Sequence, residues 1–363
     1  MKRGFIIAAI SLWTIVVVAI ILLAITISNG RFNQMTVSSA DALLRSGEVS
    51  IGNTENIIIE TSRQSIYIRK TTGDKIKITQ YGSSDTRNEE LFLVSSSGDD
   101  IHIYIKREFR MQFFNFIDRE RLIVEIPEDF YGNLDVSASS GSIRVEDEFT
   151  LKNTKLHTSS GSTHISKSIS VDNLNMRSTS GSIRLNGDVK AKDISAETTS
   201  GSIGSDMEIK ADGKIELRAS SGSINMGKDI TAKDLYAYTN SGGLRMENVY
   251  VENFDLKCTS GSIRVNSISG AGYAKTSSGS IQIALSNPNG DVDLNTSSGS
   301  IRLGLEPSLE FTLTAETNSG GIKTSFPTQK NERGNYATAN VGDNPTVNIT
   351  ARASSGGIRI ETN

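Results

Sequence analysis

From residue 140 onward the chain repeats itself. A Ser-Gly-(Ser/Gly)-(Ile/Leu) turn recurs with its glycine at Gly141, Gly161, Gly181, Gly201, Gly222, Gly242, Gly261, Gly279, Gly299, Gly320 and Gly356. Successive glycines lie 20, 20, 20, 21, 20, 19, 18, 20, 21 and 36 residues apart. A near-constant period of this size means a solenoid, because one unit cannot bury its apolar face alone and must stack on its neighbours. One copy departs from the motif, with Thr163 in the Ile position.

Columns counted from the glycine show how a coil folds. Minus seven is apolar except at Thr154 and Gly272, and minus five holds only Val, Leu, Met or Ala, from Val136 to Ala351. Minus three is small, as in Ala138, Thr158, Ser178 and Cys258. Such alternation is strand periodicity with one buried face. After the turn the apolar parity shifts to plus two and plus four (Ile143 and Val145, Ile183 and Leu185). A flat strand cannot make that shift, but a corner can, and glycine supplies it if its φ is positive. Plus eight (Phe149, Ile169, Val189, Ile209, Ile230, Tyr250) reads as a short third face. The fold class expected is all-β: a parallel β-helix, or β-solenoid, with coils of ~20 residues. Parallel connections favour a right-handed wind. Eleven stacked coils make a rod segment roughly 48 Å long.

Ahead of the repeats, Phe5 to Ile27 is a run of 23 residues without a charge. At ~1.5 Å per residue it is long enough to cross a bilayer as one N-terminal transmembrane helix. It is also longer than a signal-peptide core, and Ile25-Thr26-Ile27-Ser28 is a poor cleavage site. Lys2 and Arg3 precede it, which places residues 1–4 in the cytoplasm and the rest outside the cell membrane. Residues 28–50 read as a juxtamembrane tether, with Ser38 or Ser39 capping a short helix over Asp41–Arg45 that stops at Gly47. Residues 51–130 carry looser alternation (Ile57–Ile59, Ile66–Ile68, Ile76–Ile78, Leu91–Val94, Ile101–Ile105, Leu122–Ile126) and read as irregular capping coils. Residues 131–363 hold the regular coils. The wide gap between Gly320 and Gly356 is either a protruding loop or a distorted coil.

Composition narrows the chemistry. A single Cys excludes a disulfide framework and a Cys-based zinc cluster, and three His leave little for acid–base work. No cofactor is implied. With 38 bases against 41 acids, nothing points to nucleic acid. Lys2 and Arg3 precede the apolar run and no acid does, so the part after it carries 36 bases against 41 acids, a net charge of −5. Serines recur in every coil, no GxSxG elbow is present, and His157 and His164 flank one turn only. Asp291 and Asp293 alternate along one strand, but neighbouring coils do not repeat them. The chain is therefore expected not to be an enzyme.

Two features stand out as candidate sites. The position after the turn Ile points outward and carries Arg144, Arg184, Arg245, Arg264, Arg302, Lys323 and Arg359. Stacked one per coil they form a basic stripe suited to an anionic envelope polymer such as teichoic acid, or to an anionic membrane surface. The competing reading is a solvated ladder neutralised by acids such as Glu146, Glu247 and Glu361. The second feature is Arg107–Arg121, where Phe109, Phe113, Phe114 and Phe116 interleave with Arg110 and Arg119. That mixture suits a membrane or partner contact, or else a lid over the open end of the core.

Leu122-Ile123-Val124-Glu125-Ile126-Pro127, then Leu134-Asp135-Val136 and Ser140-Gly141-Ser142-Ile143, with Ser355-Gly356-Gly357-Ile358 near the end, resemble a known pattern. The chain is similar, over roughly residues 50–363, to the bacterial "putative adhesin" family of β-strand-repeat proteins, a domain of unknown function. Some relatives carry an N-terminal anchor and are associated with cell-envelope stress systems of Gram-positive bacteria. The resemblance implies a surface β-solenoid whose partners include envelope-stress membrane proteins, and it brings no catalytic residues. The function expected is a non-catalytic envelope interaction or scaffold module. Adhesion to a cell or matrix surface is the alternative, and a glycan-active enzyme a distant one.

Overall fold

The computed structural model describes residues 42–84, 86–106 and 120–362. Over these residues the chain is all-β, with 33 strands joined in one long, mostly parallel sheet. The expected anchor at 5–27 and most of the Phe/Arg segment lie outside the described residues. Within them, no helix is long and apolar enough to cross a membrane.

Each coil contributes one strand before its glycine and one after it, and these stack into two walls. On the pre-glycine wall Leu156 pairs with Met176, Ile194 with Ile215 and Leu235 with Phe254. On the post-glycine wall Ile183 pairs with Ile203 and Val265 with Ile283. Like residues thus lie on like, and all of these are buried in one continuous core. Fully burying an aliphatic side chain stabilises by roughly 1.5–3 kcal/mol. The period therefore works as a register lock, since a one-residue slip would turn every column outward.

A third, short wall accompanies the earlier coils. Phe149, Ile169, Val189, Ile209 and Ile230 stack in it as the column at plus eight suggests. The last member is a correction. In the coil of Gly242 it is Val249 that pairs with Ile230 and is buried, while Tyr250 is exposed. The interval from Gly242 to the next glycine is one residue shorter than the usual 20, so the inward position falls one residue earlier.

The corner glycine is needed for a reason other than the expected one. Of the eleven, only Gly356 has a left-handed φ (147°). What the rest share is contact with the backbone of the adjacent rung. A Cβ built on Gly181 would lie 1.9 Å from the carbonyl oxygen of Gly161, and one on Gly201 would lie 2.0 Å from that of Gly181. Corners rest backbone on backbone, and no side chain fits between them.

Two rungs precede the repeats. Asn56–Thr61 and Ser65–Thr71 stack in parallel beneath Asn133–Ala138 and Ile143–Val145. Outside them lie Asp100–Tyr104 and Arg121–Pro127. Chain order and spatial order therefore differ, because the chain builds the outermost rung second and then returns past the first. Antiparallel strands finish this end: Leu93–Ser97 on Asp100–Tyr104, and Lys75–Gly82 on Arg121–Pro127. Phe92 is the buried residue of the 91–94 stretch, whereas Val94 is exposed.

The helix expected over Asp41–Arg45 does not form. Ala42–Ser50 is instead a strand, antiparallel to Lys75–Gly82 with an irregularity between Leu43 and Arg45. A helix of that length has a costly nucleus and nothing to pack on, whereas the open edge of Lys75–Gly82 offers backbone partners along its whole length.

The far end repeats the same device. In the gap between Gly320 and Gly356 a hairpin, Gln329–Lys330 with Tyr336–Val341, lays its second strand antiparallel on Phe311–Thr317. The chain then turns back, and Val347–Ser355 slots between Val292–Ser298 and Phe311–Thr317. The last coil in sequence is the penultimate rung in space.

Candidate functional site

The strands after each glycine are as short as three residues, such as Ile143–Val145 and Ile183–Leu185. Their flanking residues are locked inward, so the middle residue has no direction left but out. In spatial order this outer column runs Tyr67, Arg144, His164, Arg184, Gly204, Asn225, Arg245, Arg264, Gln282, Arg302, Arg359, Lys323. All seven candidate cations are exposed. The return of the last coil reorders them, placing Arg302, Arg359 and Lys323 on three successive rungs, ~4.8 Å apart.

The acids expected to neutralise the stripe mostly do not. Glu146 is ion-paired with Arg69 Nε at 2.7 Å, and Glu247 keeps its charge but forms no ion pair among the described residues, its Oε1 accepting from Asn266 Nδ2 at 2.8 Å. Only Glu361 pairs within the stripe, with Arg359 at 2.5 Å. The Arg144 guanidinium lies 5.9 Å from the Tyr67 ring centroid, and Arg264 Nε donates to Gln282 Oε1 at 3.4 Å. Arg184, Arg245, Arg302 and Lys323 form no ion pair among the described residues. His164 registers the field: burial, then the charges of Arg144 and Arg184, hold its imidazole below the ordinary histidine range.

The outer face of the pre-glycine wall is electrically different. Glu216 pairs with Lys214 at 2.9 Å and Arg218 at 2.5 Å, Asp255 with Lys257 at 2.9 Å, and Asp293 with Arg352 at 3.3 Å. Charges there cancel locally. Asp293 is not repeated on adjacent rungs, but Asp255 and Glu216 occupy its column on alternate ones. His157 faces out from this wall and His164 from the other, so the two histidines share no site. Burial pushes the Cys258 thiol up to about 11.

Of the Arg107–Arg121 segment only its end is described. Arg121 opens the strand Arg121–Pro127, with its guanidinium 4.6 Å from the Tyr81 ring centroid. Phe109, Arg110, Phe113, Phe114, Phe116 and Arg119 lie outside the described residues.

Several polar ladders were not foreseen. In the minus-three column Thr239 Oγ1 accepts from Gly242 N at 3.1 Å and donates to Gly222 O at 2.7 Å, tying two corners together. Thr198 does the same with Gly201 and Gly181. Where a serine follows the glycine its hydroxyl mostly accepts the backbone N–H of the next coil, as Ser162 Oγ does from Ser182 at 3.2 Å. On the pre-glycine wall an amide ladder runs Asn173 to Asn153 to Asn133 to Asn56 to Asp100, each bond 2.7–2.8 Å. The recurrence of Thr at minus three and Asn at minus eight was the available signal.

Comparison with known proteins bears on this geometry. The Toastrack DUF4097 family matches residues 54–206 and 187–361. The chain belongs to the Toastrack family. The matched spans run from the first rung to the last, so the whole stripe lies within the Toastrack domain and the run at 5–27 lies ahead of it. No curated protein matches the chain. Among solved structures, a "putative cell adhesion protein" of Clostridium sporogenes is 10% identical, covering 89% of this chain and 100% of its own, with a TM-score of 0.24. A "putative adhesin" of Parabacteroides distasonis is 11% identical, covering 88% and 97%, with a TM-score of 0.37. A "putative lipid binding protein" of the same organism is 13% identical, covering 87% and 96%, with a TM-score of 0.29.

Proposed function

We propose that this chain is a non-catalytic, membrane-anchored module standing outside the cell membrane, and that its post-glycine wall holds an anionic envelope polymer. The observation that carries this reading is the largely unpaired basic column. Seven cations recur in one outward column of a chain segment whose net charge is negative, and among the described residues only Arg359 of the seven forms an ion pair. A polyphosphate backbone presents charges in a row, and a column with a fixed rise meets it without first ordering a flexible loop. The uncharged run Phe5–Ile27 supports the anchor, and Lys2 and Arg3 support a cytoplasmic N-terminus. Envelope-stress membrane proteins are the partners this placement suits.

The test is charge reversal. Arg184, Arg245, Arg264 and Arg302 are replaced together by Glu, and retention on immobilised teichoic acid is measured at low and high salt. Retention of the parent chain that falls with salt, and is abolished in the variant, is the expected outcome. Equal retention of both would end the proposal. The four side chains project into solvent, so the melting temperature serves as the folding control.

A further inference from the structure

The outer column of the pre-glycine wall reads Glu216, Tyr236, Asp255, Tyr273, Asp293 over five successive rungs, alternating acid and tyrosine. Tyr236 and Tyr273 are 41% and 37% exposed, and they are two of the five exposed tyrosines among the described residues, the two that share one column. They stand two rungs apart, about 9.6 Å. Tyr273 is held in place: its hydroxyl donates to Asp255 Oδ2 at 2.6 Å, and Lys257 Nζ lies 4.7 Å from its ring centroid. Beside it runs a shallow groove whose lining includes Lys275, Asp291, Asp293, Asn295 and Thr350. Asp255 Oδ1 and Asp293 Oδ1 are covered and have no hydrogen-bond partner among the described residues, while Asp255 Oδ2 is engaged by Tyr273 and Lys257.

We propose that this wall binds a neutral β-1,4-linked glycan, running along the rod axis with sugar rings stacked on Tyr236 and Tyr273. Local cancellation of charge argues against a polyanion here, in contrast to the basic wall. An aromatic face beside amide, carboxylate and hydroxyl groups matches a sugar, whose C–H face is apolar and whose rim is all donors and acceptors. In a β-1,4 chain successive rings flip, so the same face returns once per disaccharide. A tyrosine on every second rung presents platforms at a spacing of that order. A ring held beforehand, as Tyr273 is, loses little freedom on binding.

The full chain in detergent is titrated calorimetrically with chitohexaose and with cellohexaose, which separates acetamido from plain sugars. Binding of at least one is expected, about tenfold or more weaker in the Tyr236→Ala/Tyr273→Ala pair and within about threefold of parent in the Tyr236→Phe/Tyr273→Phe pair. Unchanged melting temperatures show that the variants fold. No binding of either hexamer at millimolar concentration, or binding that survives the alanine pair, would overturn the proposal. So would loss in the phenylalanine pair, because ring stacking alone would then not carry the binding.

Discussion

The residues that govern this fold are its smallest. Replacing Gly201 by Ala would put a Cβ about 2.0 Å from the Gly181 carbonyl oxygen, and backbone has no rotamer with which to yield. A loss of about 3 kcal/mol is expected. Gly204→Ala is the matched control, because its Cβ would meet nothing nearer than 3.7 Å. Its effect should stay within about 0.5 kcal/mol, and thermal melts of the two variants give the comparison. Thr239→Val keeps the shape of a fully buried side chain but strands the Gly242 N–H and the Gly222 carbonyl. It should cost about 1–3 kcal/mol, with Thr239→Ser recovering most of that in the same melts. His164 adds a pH term whose sign is fixed. Its pKa is lowered in the fold by burial and by Arg144 and Arg184, so below the unfolded value of 6.5 the unfolded chain binds the proton better. Stability contributed by neutral His164 is therefore present above that value and is lost as pH falls below it. His164→Gln should flatten the slope of melting temperature against pH in that window.

At the scale of elements, the repeating coils were legible and the ends were not, for a physical reason. Leu, Ile and Val at fixed offsets from each glycine specify which face of a strand is buried, and stacking follows because a coil has no other place to bury them. Nothing in that pattern says which coil is whose neighbour. Ile57 and Ile59 pair as well with Ile101 and Ile103 on one side as with Leu134 and Val136 on the other, so the periodicity is silent on the return past the first rung. The basic stripe was readable residue by residue, but the adjacency of Arg302, Arg359 and Lys323 depends on the same return at the far end. The alternating tyrosines and acids were missed because they sit in an outward column, where apolar periodicity carries no information. This threading predicts an unusual exchange pattern. In a solenoid stacked in chain order the C-terminal coil frays first. Here Val347–Ser355 has a strand on both sides, so the amides of Ile349, Ala351 and Ala353 should exchange as slowly as those of mid-rod coils. The amides of Gln329 and Lys330, on the outer strand of the end hairpin, should exchange within the first time points. Early exchange across 347–355 would mean that the last coil is not intercalated in solution.

For the whole molecule the consequence is a rod with two chemically distinct long walls, one basic and one locally neutral. His164 offers a way to tell which wall a polymer occupies without mutating either. In the free chain its neighbours Arg144 and Arg184 disfavour the imidazolium. A polyanion lying along that column adds negative charge within a few ångströms and offsets both guanidiniums, so the histidine pKa must rise on binding. The imidazole C–H resonances, followed by NMR against pH with and without saturating teichoic acid, report that shift directly. Raising salt to about 1 M shortens the screening length to about 3 Å and should release the polymer, returning the titration toward its salt-matched free value. A neutral glycan on the tyrosine column should leave His164 where it was, because it brings no charge and occupies another wall. A polyanion that binds tightly yet leaves the His164 titration unmoved would place the contact elsewhere on the rod and separate the basic column from the binding it is proposed to perform.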